Sequence, residues 1–175
     1  SVPLEAMGIL LLPGTIAYML TSAASGRMIT GLGLGGMLLA GAVIRGIGLL
    51  GYATVGTWEL LLVTSFVSGI GSGAIDTGFN TYVATNHSAG RLGWLHAFFG
   101  VGATFGPWIM TRLLVGGQSW QTGYLLAAVG HVALIAALVP VMKEWRLPTA
   151  TDENAVPVVN ATPWQTLRRP VVWLA

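Results

Sequence analysis

Ser72, Asp76 and Asn80 are the residues of this sequence whose types and spacing most clearly could do chemistry. Four-residue steps put them on one face of a helix, where a hydroxyl, a carboxyl and a carboxamide form a stripe able to hydrogen-bond a hydroxylated molecule. Their neighbours are glycine, alanine and bulky apolar residues. In such surroundings an ionisable group is costly unless it faces a partner or a water-filled cavity, and a carboxyl so placed can bind and release a proton. The bland alternative is a carboxylate locked to a nearby arginine or to helix N–H groups. His96 adds an imidazole, which exchanges protons near neutral pH; it reads equally as a proton carrier, a solute donor or a structural bond to a backbone carbonyl. Arg45 lies inside another apolar stretch, roughly 18 Å from one end at about 1.5 Å per residue. It suits a structural salt bridge or snorkelling as well as solute contact. Arg112 reads as an interfacial anchor, and His131, between Gly130 and Val132, as structural.

The elements that carry these residues follow from composition. Of 175 residues 54% are hydrophobic and 8% charged, with a mean hydropathy of +0.73. Soluble domains have about 25% charged residues, so this chain could not clothe a water-facing surface. Its 25 glycines are tolerated in membrane helices, where neighbouring helices protect the backbone. Five segments reach the roughly 20 apolar residues a bilayer core requires: Met7–Ser25, Gly33–Ala53, Leu60–Val83, Leu95–Val115 and Gly123–Met142. A sixth begins near Pro170. The predicted fold class is therefore all-α transmembrane, a polytopic bundle whose connectors, Gly26 to Leu32, Thr54 to Glu59 and Gly116 to Thr122, are short. Consecutive spans should be antiparallel neighbours.

Small residues at four-residue steps, Ser65, Gly69 and Gly73 in one span and Gly102 and Gly106 in another, predict close helix packing. Pro13 and Pro107 should kink their helices. Trp58, Trp120 and Tyr124 fall at predicted span ends, where aromatic belts form. The "GIGSG" string from Gly69 is not a phosphate loop, which needs a strand and a water-facing turn.

Charge sets orientation and excludes several classes. Arg27, Arg91, Lys143, Arg146, Arg168 and Arg169 fall in or beside alternate connectors; Lys and Arg accumulate on the cytoplasmic side, so the first span runs from outside to inside. The formal net charge of +2 is dispersed, which argues against a nucleic-acid partner. There is no cysteine, and the histidines are far apart, so no metal or other cofactor is expected. No nucleophile or His–carboxylate motif points to an enzyme. Residues 1–142 read as the transmembrane bundle, 143–169 as a polar cytoplasmic linker with a short amphipathic helix around Trp164 to Arg169, and 170–175 as the start of the next span. Asn160-Ala161-Thr162 fits a glycosylation acceptor but lies on the cytoplasmic side. Ser1 in place of an initiator Met, and an apolar run cut at Ala175, predict a piece of a longer chain.

The stretch from Gly69 to Met110, "GIGSGAIDTGFNTYVATNHSAGRLGWLHAFFGVGATFGPWIM", resembles major facilitator superfamily transporters, in particular the fucose-permease-like sugar branch. The resemblance is carried by Asp76 and Asn80, by Arg91 in the following turn, by Leu95-His96-Ala97 and by Gly106-Pro107. It extends less sharply over nearly the whole chain, with Ser25 to Gly36 in the place of the loop between the family's second and third helices. Where family members carry an Asp-Arg pair and basic residues, this chain has Thr30-Gly31 and Gly35-Gly36; after Gly102 and Gly106-Pro107, Met110-Thr111 replaces the paired glycines of the antiporter signature. The likeness implies helices two to six of a twelve-helix transporter, with residues 1–142 in its N-terminal half and the rest of the chain still needed for a complete site.

It further implies secondary transport of a small solute of the sugar-like kind by alternating access, coupled to protons, in the plasma (inner) membrane. Solute and proton would meet Asp76, Asn80, Ser72, His96 and Arg45. Two alternatives stand beside it: efflux of drugs or metabolites, and a non-transporting membrane fragment or scaffold.

Overall fold

A computed structural model of the protein describes residues 4–147. The expectations for the amphipathic segment, the Asn160 tripeptide and the start of a further span at 170–175 lie outside the described residues. Within them every long element is an α-helix: α1 (Leu4–Thr54), α2 (Trp58–Asn86), α3 (Ala89–Val115) and α4 (Trp120–Val141), followed by a short 3-10 turn at Met142–Glu144. All four helices are long and apolar enough to cross a membrane.

α1 is two helices in line of sequence but not in space. Its 51 residues would reach about 76 Å as a straight rod, more than twice the roughly 30 Å of a bilayer core. Gly33 interrupts it with φ 70° and ψ 164°, a backbone region open to glycine and almost nothing else. Contacts with α2 show that the chain reverses there. On the first arm, residues 4–32, Gly14 meets Ser65 and Gly69, and Tyr18 meets Gly73; that arm runs parallel to α2. On the second arm, residues 34–54, Gly41 meets Ala74, Gly48 meets Ser68 and Gly51 meets Thr64, which is antiparallel. The expected connector over Gly26–Leu32 is thus corrected: those residues are helical and the reversal sits at one glycine. Met28 and Ile29 pack on the buried cluster of Leu34, Met37, Leu38 and Ala74, and that burial keeps the segment wound where its composition suggests a loop.

The other turns are also tighter than the sequence indicates. His87 and Ser88 alone separate α2 from α3. α3 ends because Gly117 takes φ 79°, letting Gln118 N–H bond Leu113 O at 2.9 Å and Gly117 N–H bond Leu114 O at 3.0 Å. This pattern closes the last turn of a helix on a glycine.

α2 lies at the centre of the packing, and its buried residues are all small: Thr64, Ser65, Ser68, Gly69, Gly71, Gly73, Ala74 and Gly78. Both arms of α1 approach α2 backbone to backbone there; a Cβ on Gly48 would stand 2.8 Å from Ser68 Cα, and one on Gly73 2.6 Å from Tyr18 O. α4 covers the second arm through the Tyr52–Tyr124 stack, 4.7 Å between centroids, and the His131 bond to Ala42 O. By contrast, none of Gly90–Val115 in α3 is buried. A Cβ at Gly102 or Gly106 would meet nothing within 4 Å among the described residues, so their spacing does not seat α3 on another described helix.

The last turns of α2 and the residues that follow α4 close one end of the bundle. Trp145 packs on Tyr82 at 4.6 Å and on Phe79 at 5.0 Å, and Asn86 Nδ2 donates to Arg146 O at 3.4 Å. Arg27, Arg91, Lys143 and Arg146 all belong to this end.

The packing predicts a sharp contrast between glycines. Gly48→Val should lower stability by about 1–3 kcal/mol through forced separation of two helices, whereas Gly102→Ala should change it by less than about 0.5 kcal/mol. Gly33→Ala, in open space, should still lose about 1–3 kcal/mol from backbone strain alone. Thermal unfolding of the detergent-solubilised protein, followed by tryptophan fluorescence, checks all three.

Candidate functional site

The polar stripe of α2 is built on hydrogen bonds within its own helix and extended by the two arms of α1. Ser72 Oγ donates to Ser68 O at 2.9 Å. Asn80 Nδ2 donates to Asp76 O at 2.8 Å and to Asp76 Oδ1 at 3.2 Å. The second carboxylate oxygen accepts from Tyr18 OH at 2.5 Å, which is possible because Gly73 admits the Tyr18 backbone one turn below. The Asp76 carboxylate is therefore bracketed by a phenol and an amide, both neutral, rather than paired to an arginine. On the other arm, the backbone at Arg45 lies against Gly71, and its guanidinium donates through Nη1 to Ser68 Oγ.

These groups line a cavity of about 690 Å³, within the roughly 300–1,000 Å³ of small-molecule sites. Ser72, Asp76 and Asn80 form its polar wall with Tyr18 and Arg45; α3 contributes Leu95, His96, Phe98 and Phe99, and α4 contributes His131 and Leu134. His131 Nε2 donates to Ala42 O at 2.8 Å, which ties α4 to the second arm and fixes the proton on that nitrogen in the neutral ring. A second cavity of about 540 Å³ lies between α3, α4 and the second arm, with Gly106, Pro107 and Tyr124 in its wall, and a third of about 280 Å³ lies between α2 and both arms. Arg45 lines all three.

The five residues singled out in sequence as contacting solute or proton, Asp76, Asn80, Ser72, His96 and Arg45, share this one cavity. Gly69 and Gly73 pack against the first arm, while Gly106 and Pro107 stand in the wall of the second cavity. Arg112 sits over the Trp108 ring at 5.4 Å, in the last turn of α3. Sequence reasoning missed Tyr18, whose partner is 58 positions away; its only signal is a phenol far from a span end, where aromatic belts do not explain it. His131, read in the sequence as structural, bonds a backbone carbonyl and also lines the cavity. Among the described residues no group of His, Asp and Glu is arranged to hold a metal ion.

The Tyr18–Asp76 bond is a charge-assisted contact between two spans. Tyr18→Phe and Asp76→Asn, made singly and together, should show a coupling of about 1.5–3 kcal/mol in thermal unfolding. Independent, additive effects would mean that the two groups do not meet.

Comparison with known proteins bears on the whole chain. No curated protein and no solved structure matches it. The family model described as Major Facilitator Superfamily matches residues 2–175, a span that takes in every helix described above as well as the residues beyond them. Membership in that family accounts for apolar helices linked by minimal turns around a cavity with a polar wall: the chain belongs to the major facilitator superfamily of membrane transporters.

Proposed function

We propose that the protein carries a small hydroxylated, sugar-like solute by alternating access, and that a proton taken up by Asp76 drives it. The observation that carries this reading is the Asp76 carboxylate, set on a membrane helix, open to the cavity and held by Tyr18 and Asn80. Ionised, it accepts both hydrogen bonds; protonated, one oxygen becomes a donor, and at least one of the two contacts must be remade. Because Tyr18 belongs to the first arm and Asp76 to α2, protonation alters the contact between two spans. Solute binding that favours one arrangement then shifts the equilibrium between the states.

The remaining wall supports the same reading. Ser72, Asn80 and His96 supply hydroxyl, amide and imidazole groups, and Phe98 and Phe99 supply the flat apolar surface common in small-molecule sites. Transporter sites of this kind lie near the bilayer midplane between structural repeats. With the basic end placed in the cytoplasm, the first arm runs inward, and the proposed location is the plasma membrane. The exposed aromatic face of α3 favours a second reading, efflux of apolar compounds.

Uptake of labelled sugars and drugs by the full-length protein in vesicles, with and without a pH gradient, separates the two. Sugar uptake that rises with an inward proton gradient is the expected result, and drug movement alone would overturn it. Asp76→Asn should lower gradient-driven uptake by about tenfold or more, and by more than it lowers solute exchange without a gradient. Undiminished driven uptake in that variant would remove Asp76 as the proton carrier.

A further inference from the structure

We propose that the solute carries a carboxylate in addition to its hydroxyls, as a sugar acid does, and that Arg45 binds that carboxylate. This rests on the reading of the cavity as a solute site and specifies the class of solute.

Arg45 is a cation with no acidic partner recorded among the described residues. Arg45 lies in the second arm, its backbone fixed against Gly71, so the origin of its side chain is set by helix packing. Charged groups inside membrane spans are costly, and they ordinarily pair with an opposite charge. Among the described residues the recorded hydrogen-bond partner of this guanidinium is Ser68 Oγ, which is uncharged. The acid that shares its cavity, Asp76, is bonded to Tyr18 and Asn80, with no bond from Arg45 recorded among the described residues. The remaining N–H groups of Arg45 have no partner recorded among the described residues, and the side chain borders three cavities.

Charge and shape then select the ligand. A guanidinium presents a planar fork that matches a carboxylate in two parallel hydrogen bonds. A neutral sugar would leave the cation without a counter-charge, and a cationic solute would be repelled by it. A monoanion balances a single guanidinium, whereas a phosphate dianion would leave excess negative charge beside Asp76. With its carboxylate on Arg45, a sugar acid can direct hydroxyls to Ser72, Asp76 and Asn80 on the same wall.

The experiment uses the full-length protein in lipid vesicles with an inward proton gradient. Glucuronate, its neutral amide glucuronamide, glucose and glucose 6-phosphate are offered as substrates and as competitors. In the wild-type protein glucuronate should be taken up, and the amide, alike in size and hydroxyls, should compete about ten- to a hundredfold more weakly. Arg45→Lys should keep the preference for acid over amide at reduced affinity, and Arg45→Gln should bring the acid down to the level of the amide. Equal competition by acid and amide in the wild type, stronger competition by the phosphate, or equal weakening of acid and amide by Arg45→Gln would each overturn the proposal. The wild-type comparison stands even where an Arg45 variant fails to fold. Driven, Asp76-dependent uptake of glucose without uptake of glucuronate would sink this inference alone; no movement of any of these compounds would sink the transport reading beneath it.

Discussion

Backbone-to-backbone contact between α2 and the two arms of α1 is the constraint on which the rest of the molecule depends. It exists because α2 presents Gly69, Gly71 and Gly73 to its neighbours and α1 answers with Gly14, Gly41 and Gly48. In lipid, greasy side chains gain little by leaving their surroundings, so helices associate through close packing and hydrogen bonds between them. Small residues permit both. Ser65 Oγ donates to Leu10 O at 2.7 Å, a bond between spans that a larger residue at Gly14 or Gly69 would hold apart.

The same contact delivers the chemistry. Tyr18 reaches Asp76 because the first arm rests on Gly73, and Arg45 reaches Ser68 because the second arm rests on Gly71. A carboxylate and a guanidinium thus stand in one cavity without neutralising each other, each engaged by neutral groups. An Arg–Asp pair would satisfy both charges internally; here each borders the cavity with neutral partners.

Much of this was legible in the sequence, and the parts that were not share a cause. Apolar runs of membrane length marked the spans, and four-residue spacing brought Ser72, Asp76 and Asn80 to one face, because both signals are local. The reversal at Gly33 was blurred by the many glycines around it: composition cannot say which one takes positive φ, and the burial that winds Met28 and Ile29 into helix is a tertiary effect. Tyr18 was invisible as a partner because nothing near it in sequence names an acid. Gly102 and Gly106 have the spacing of a packing motif, but spacing does not reveal whether a second helix is there to receive it.

The unburied character of α3 divides the molecule mechanically. α1 and α2 interlock into a stiff block that holds the cation, the carboxylate and the phenol, whereas α3 brings His96, Phe98 and Phe99 to the cavity from a helix with no buried residue in Gly90–Val115. Among the described residues, drawing α3 aside breaks few contacts, whereas prising α1 from α2 means peeling glycine-lined backbones apart. Among the described residues the weakest seam therefore runs along the aromatic wall and the strongest through the electrostatic centre, so a ligand gripped by the charges would feel its cover lift before its anchor moved.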